Sequence, residues 1–414
     1  MDHRATSIGR RDHVKSVRER YFPPAADIQN GRGIRVLYLT DNPNLGSTAR
    51  ILQNWLLLGR EKRIEGIVGA RQDGAFVTWL RDNSIDYQIN PMPWLDRQRP
   101  WTSLLQAWKL ARWARKRGIQ IIHCNEHNVY PFALVLRRFL NRPLVCHVRF
   151  ALERKFCEWA FEGRGRQPDA LLWTSRQQAE DCSEAVAGII PPENQHLVYL
   201  GVNLNRFGLL SLQREKNRRG WGFEPDEIVL GTASAMKPIK RLEEYVELVA
   251  RIASRHPRVV GVIAGDAPAG RNAYREQLLE QIRKTGLGRR FRWLGNLEDI
   301  EPFHHAVDIF VSTSDYETFG NSVCEAMACR RPVVAYQGGS VHEVLGDAGI
   351  VLQTGDLEGA VQAVEKLVLD PNFRRELGNK ARNRVANSFN PARSFEQLIG
   401  VYEGLLAPSS LEGQ

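Results

Sequence analysis

The stretch Ser312-Thr-Ser-Asp-Tyr-Glu-Thr-Phe-Gly-Asn-Ser-Val-Cys-Glu-Ala-Met-Ala-Cys-Arg-Arg-Pro-Val-Val-Ala-Tyr336 decides the reading of this 414-residue chain. A β-branched apolar run, 308–312, leads into it, and a second run, 332–336, closes it. Short apolar runs bounded by turn residues predict buried strands of a parallel sheet. Between them a polar loop ends at Phe319-Gly320, and the residues from Asn321 to Cys329 predict a short helix. A helix start of this kind offers unpaired backbone N–H groups and the positive end of the dipole, both suited to a phosphate. Glu317 falls in the loop above the strand end, and Glu325 about one turn inside the helix. The two carboxylates can therefore reach opposite ends of one phosphate-bearing ligand. A lone pair of glutamates at this spacing also fits an ordinary amphipathic helix with solvated acids. The register of Phe-Gly, Glu-Ala-Met-Ala and Pro-Val-Val-Ala around them favours a ligand site.

Working outward, strands and helices alternate over most of the chain. Strands are predicted at 34–40, 64–70, 87–89, 119–124, 143–148 and 170–174, with helices at 47–58, 75–83, 101–117, 131–140 and 176–185. A second series of strands runs through 228–232, 259–264, 291–294, 309–312, 333–336 and 350–352, and a final helix through 392–406. This βαβ alternation implies doubly wound parallel sheets. Ligands of such sheets bind beyond the carboxyl ends of the strands. Residues 1–33 are polar, basic and without periodicity, and read as a flexible extension. The charged run Gln213-Arg-Glu-Lys-Asn-Arg-Arg-Gly220 reads as an interdomain linker. The expected division is 1–33, a first domain 34–208, a second domain 209–390, and a closing helix and tail 391–414.

The opening stretch resembles the donor-site motif of retaining, GT-B-fold glycosyltransferases of family 4. There it reads Glu-x-Phe-Gly-x-x-x-x-Glu-Ala-Met-Ala-x-Gly-x-Pro-Val-Val-Ala, and this chain departs from it at Arg330, where the family usually has glycine. The resemblance extends over roughly 34–408. It takes in Leu200-Gly-Val-Asn-Leu-Asn-Arg-Phe207, the glycine turn Gly261-Val-Ile-Ala-Gly-Asp266, Ala306-Val-Asp308, and Tyr402-Glu-Gly-Leu-Leu406. It implies a GT-B architecture of two Rossmann-like domains facing a cleft, the closing helix crossing back onto the first. It implies that Glu317 contacts the donor sugar, that Glu325 holds the ribose, and that Thr318, Phe319 and Gly320 meet the phosphates. It also implies front-face attack, the leaving phosphate taking the acceptor proton. No nucleophile triad is evident.

A diphosphate leaving group needs a metal or fixed cations. No Asp-x-Asp metal site is present, so no metal and no cofactor beyond the nucleotide-sugar substrate is expected. The family's phosphate lysine aligns with Lys240. Its phosphate arginine falls on Ser234 or Ala235, leaving Lys237 or Arg241 as substitutes. A solvated helix start is the alternative for these cations. In the first domain, Gly46 stands where the family has a glycine pair near the phosphate. It fits either that close approach or a simple helix-start turn. The family often reads His-x-His-Glu after the next strand; this chain has His123, Asn125 and Glu126, with His127 following. Asn125 is a candidate for a sugar hydroxyl. His147 and Arg149 end another strand and are candidates at the cleft, His147 equally as a structural residue of the strand end.

Charged residues make up 25% and apolar residues 43%, a globular composition. No run of about 18 apolar residues exists, and the N-terminus lacks an apolar signal core. The six cysteines show no metal or C-x-x-C spacing and read as buried thiols in a reducing cytosol. The net charge of +10 suits a phosphorylated substrate, an anionic membrane surface or nucleic acid. No nucleic-acid module motif accompanies it, so no nucleic-acid partner is expected. Around 97–117, Trp101, Leu104, Leu105, Trp108 and Ala111 recur at helical spacing among seven Lys or Arg and no acid. Such a helix suits an anionic bilayer interface. The alternative packs its tryptophans on the sheet and leaves the basic face in solvent.

The leading expectation is a cytoplasmic enzyme, peripheral on the membrane's inner face if that helix docks. It would move a sugar from a nucleotide-diphosphate sugar to a glycan or lipid-linked glycan, as in surface polysaccharide or lipopolysaccharide assembly. The alternatives are a nucleotide-sugar epimerase of the same fold and a catalytically silent, basic membrane-binding protein. Ala235 and Asn125, at positions where the family has Arg and His, support the last of these.

Overall fold

A computed structural model describes residues 33–94, 100–208, 211–268, 270 and 272–407. The expected extension lies outside them as far as residue 32. The first sheet contains β1 (Ile34–Thr40), β2 (Ile64–Ala70), β3 (Tyr87–Ile89), β4 (Ile121–Cys124), β5 (Leu144–His147), β6 (Ala170–Trp173) and β7 (Gln195–Leu197). Their order is β3-β2-β1-β4-β5-β6-β7. The second contains β8 (Ile228–Ala233), β9 (Val259–Ala264), β10 (Phe291–Trp293), β11 (Ile309–Ser312), β12 (Val333–Tyr336) and β13 (Ile350–Leu352), in the order β10-β9-β8-β11-β12-β13. Each described pairing is parallel. Strands β4, β5, β9, β11 and β12 are buried along their whole length, as expected where helices cover both faces of a parallel sheet.

In both sheets the order turns around at one point. β1 is flanked by β2 and β4, and β8 by β9 and β11. Such switch points open crevices beyond the strand ends. The segments that leave β8 and β11 are those that carry Lys240 and Glu317, so the topology brings the two together.

The described chain divides into two compact units: one up to His147 with Gly163–Leu171 and the residues from Leu398 on, the other Val148–Glu162 and Leu172–Gln397. The last helix, Pro391–Leu406, contributes its second half to the first unit. There the Tyr402 hydroxyl meets His123 Nδ1 at 2.5 Å and Tyr38 at 3.2 Å. In the second unit the core gathers Leu230, Tyr245, Val249, Ile263, Val311, Val334 and Val364.

Two expectations are corrected. The charged run 213–220 is part of a helix, Ser211–Gly220. Arg214 and Arg218, four residues apart and so on one face, both bind the carboxylate of Asp308 at the start of β11. The run is thus fastened to the second sheet by charge. The helix Pro100–Arg115 does not pack by its large tryptophans. Ser103, Ala107, Leu110, Ala111 and Ala114 are its buried face, while Trp101 and Trp108 are exposed. All six cysteines are buried free thiols. Among the described residues no helix is long and apolar enough to cross a membrane.

Candidate functional site in the second unit

After β8 the chain passes exposed Lys237 and makes one turn of 3-10 helix, Pro238–Lys240. Arg241 then takes a left-handed conformation, φ +44°, before the helix Leu242–Arg255. After β11, Thr313 turns its hydroxyl back to the carbonyls of Lys240 and Arg241, 2.9 Å from each. Asp315 N–H donates to the Ile239 carbonyl at 2.9 Å. The two strand ends are thereby stitched together. Lys240 Nζ lies 2.6 Å from Glu317 Oε1, both side chains mostly buried. The Ser314 hydroxyl donates to the same carboxylate oxygen at 2.8 Å.

The loop that carries Glu317 is held from several sides. The Thr318 carbonyl accepts from the hydroxyls of Thr174, Ser175 and Ser340 at 3.1, 2.9 and 2.7 Å. Its own hydroxyl donates to the carbonyl of Arg149 at 3.1 Å, which places that buried arginine against the loop. Ser340 N–H donates to the Glu317 carbonyl at 2.8 Å. Gly339 bridges Glu317 with φ +59°, and a Cβ there would stand 2.4 Å from the Glu317 carbonyl oxygen. Sequence reasoning missed Ser314, Gly339 and Ser340. The Gly338-Gly339 pair just after β12 was the available signal.

Phe319 is buried edge-on against Phe389, ring centroids 5.4 Å apart. Gly320 caps the helix Asn321–Ala328 at φ +83°, a conformation that strains a residue with a side chain. Gly320 has no side chain with which to cap this helix start, and the first amides of a helix have no partner within the helix itself. Inside the helix, buried Glu325 lies 3.3 Å from Nε2 of His304, which is fully buried among Phe207, Phe303 and Phe310. His304 was not singled out from sequence. The departure at Arg330 has a physical reading. Arg330 follows the helix with φ +56°, the left-handed position that glycine usually fills after a helix.

Arg241, one of the two substitutes expected for the missing phosphate arginine, pairs with Glu244 and Asp315. For Lys237, no ion pair is found among the described residues. Nor do the described residues gather three His, Cys, Asp or Glu side chains able to hold a metal ion.

The candidates of the first unit are placed by its own switch point. Gly46 follows β1 and caps the helix Ser47–Glu61 with extended backbone, φ −71°, a conformation open to any residue. A Cβ there would press on the Asn42 amide at 3.2 Å. Asn125 follows β4 and donates from Nδ2 to Glu126 Oε1 at 2.7 Å. Glu126 also accepts from the Thr40 hydroxyl and the Asp41 amide, at 3.1 and 3.3 Å. It organises the end of β1, a role that sequence reasoning missed. Burial pushes the His127 imidazole down to about 4, so it is neutral at pH 7. His147 is fully buried, stacked on Trp55 at 5.4 Å and beside His123 at 5.9 Å. That is the placement of a structural histidine.

Residues 213–384 match the family model of glycosyl transferases group 1, and residues 71–206 that of Glycosyltransferase Family 4. The chain is similar to the lipopolysaccharide core biosynthesis mannosyltransferase LpcC of Rhizobium leguminosarum bv. viciae. The two are 25% identical over 311 residues, 74% of this chain and 83% of the relative. It is 27% identical to the alpha-D-kanosaminyltransferase of Streptomyces kanamyceticus over 303 residues, 68% of this chain and 75% of that one. Anabaena HepE, solved in complex with UDP and glucose, superposes with a TM-score of 0.79 at 22% identity, covering 89% of this chain and 99% of its own. These likenesses, with the two parallel sheets, show the GT-B fold.

Proposed function

Since the chain belongs to the glycosyl transferases of group 1, we propose that it moves a sugar from a nucleoside-diphosphate sugar to a glycan or lipid-linked glycan. Transfer proceeds with retention of anomeric configuration and without a metal. One observation carries this reading: Lys240 and Glu317 meet at 2.6 Å at the switch point of the second sheet, and Glu317 stands three residues before Gly320, which supplies no side-chain cap to the helix it begins. A cation and free amides serve a diphosphate, and a fixed carboxylate beside them serves sugar hydroxyls. HepE, with its bound UDP and glucose, supports the donor class. LpcC, which acts in lipopolysaccharide core assembly, supports the acceptor class.

In the proposed reaction the bond between C1 of the sugar and the diphosphate oxygen breaks. The acceptor oxygen bonds to C1 on the same face, and its proton passes to the leaving phosphate. Lys240 and the amides after Gly320 meet charge that grows as the bond breaks. Glu317, bound by Lys240 and Ser314, orients the donor sugar and forms no adduct. Glu325 takes the ribose hydroxyls. Asn125, of the first unit, is the candidate there for a hydrogen bond to a sugar hydroxyl.

The direct test is transfer from a panel of UDP-, GDP- and ADP-sugars to glycan acceptors, with product configuration read by NMR. Transfer should persist in EDTA. Activity abolished by chelation and restored by Mg²⁺ or Mn²⁺ would contradict the cation assignment. Glu325→Ala should weaken nucleoside diphosphate binding, measured by calorimetry. A hydrogen bond to a charged group contributes roughly 1.5–3 kcal/mol, so a loss of about tenfold or more is expected. Unchanged affinity for UDP, GDP and ADP alike would refute the ribose role.

A further inference from the structure

The helix Pro100–Arg115 presents a face that none of the described residues of its unit covers. Trp101, Leu104, Leu105 and Trp108 are 62, 41, 49 and 47% exposed. Lys109, Arg112, Arg115 and Lys116 are exposed as well. At 3.6 residues per turn the seven of these side chains that lie within the helix fall within an arc of about 140°, and Lys116 follows in the turn after it. They form one stripe, apolar in its first half and cationic in its second. No acidic residue occurs between residues 97 and 118. Burial of the opposite face by Ser103, Ala107, Leu110, Ala111 and Ala114 fixes the helix rotation, so the stripe cannot turn inward. Four large apolar side chains held in water on one helix mark an interaction surface.

We infer that this stripe docks the first unit on an anionic lipid bilayer, the tryptophans and leucines entering the headgroup boundary and the cations meeting lipid phosphates. Charge chooses this occupant. Anionic lipid complements a stripe with four cations and no acid, and the whole chain carries +10. A second copy would bring the same positive surface to meet it. A stable protein interface also removes roughly 800 Å² from each partner, more than four half-exposed side chains supply. Tryptophan, part apolar and part polar, is the residue that settles at such a boundary. The basic residues nearby are not equally available. Arg117 pairs with Asp86 and stacks on Trp113 at 4.2 Å, and Arg115 donates to the Phe139 carbonyl. Lys109, Arg112 and Lys116 are therefore the charges to remove.

The inference is separate from sugar transfer, and its test needs no donor or acceptor. The full chain is sedimented with vesicles of phosphatidylcholine alone, or of equal parts phosphatidylglycerol and phosphatidylcholine. Binding is expected only to the second, with a blue shift of tryptophan emission. It should fade as salt shortens the Debye length from about 10 Å at 0.1 M to about 3 Å at 1 M. A basic residue near such a surface strengthens binding about fivefold, so the Lys109→Gln, Arg112→Gln, Lys116→Gln variant should bind about a hundredfold more weakly. Trp101→Ser with Trp108→Ser should also release the protein. All five positions are exposed, so thermal unfolding of both variants should match the parent. Absence of binding to anionic vesicles by the parent itself overturns the inference, whatever the variants do. So does parental binding in both variants, or a concentration-dependent dimer that the tryptophan variant abolishes.

Discussion

Lys240→Ala is expected to lower the turnover of sugar transfer about 10²–10³-fold while the donor KM changes by less than about tenfold. Removing one group aimed at developing charge in a water-poor site costs about 2.7–4 kcal/mol of transition-state stabilisation. The amides after Gly320 remain to hold the ground-state diphosphate, so binding falls less than rate. The structure adds a second consequence. Lys240 is also the partner of mostly buried Glu317, which the variant leaves with the Ser314 hydroxyl. Lys240→Arg keeps the charge and should recover part of the turnover. Steady-state kinetics with the preferred donor decides the matter. A turnover within threefold of the parent, or a change confined to KM, would remove Lys240 from its role.

The parallel sheets are legible in sequence because their strands are short apolar runs between turn residues. The run expected at 259–264 is β9 residue for residue, and 309–312 is β11. The helix Ser211–Gly220 escapes for the opposite reason. It has almost no apolar periodicity, and its anchor, Asp308, lies some ninety residues further on. Periodicity sees hydrophobic faces, not ionic ones. The helix Pro100–Arg115 misleads more subtly, for it carries two faces at helical spacing. The larger side chains suggest the core, yet the alanine-rich face is the one that lies close against its neighbours. Large apolar residues do stand at surfaces, and there they are informative. In the candidate site, the sequence singles out Glu317, Gly320, Glu325 and Lys240 through their place in motifs of fixed register. The Lys240–Glu317 contact is not legible there, because it depends on Thr313 drawing two strand ends together. His304 beside Glu325, and Tyr402 on His123, are likewise pairings across long stretches of chain.

Asp308→Asn should destabilise the second unit by about 3–5 kcal/mol at neutral pH, the cost of removing one partner from a buried ionic group. Asp308 accepts from both Arg214 and Arg218 and from the Val229 amide. Burial alone would push its carboxyl up, but Arg214, Arg218, the Val229 hydrogen bond and Arg331 together hold it below the usual range. Arg331 is itself buried, and that burial, with Arg214 nearby, pushes its guanidinium down to about 10. Without the carboxylate three guanidinium groups would share one buried region with no counter-charge. At about 2–4 °C per kcal/mol for a unit of this size, the loss should lower its thermal transition by roughly 10 °C. The pH dependence has a definite sign. A carboxyl depressed in the folded state adds stability above its unfolded value, about 3.9, and loses it as pH falls through the folded value. The gap between parent and variant should therefore be full at pH 7 and narrow progressively below about pH 4. Combining Asp308→Asn with Arg214→Met and Arg218→Met should recover part of the loss, since a buried pair replaced whole costs less than one broken. A transition lowered by less than about 1 °C, or a gap that stays constant into acid, would show that the helix Ser211–Gly220 is not held by this carboxylate.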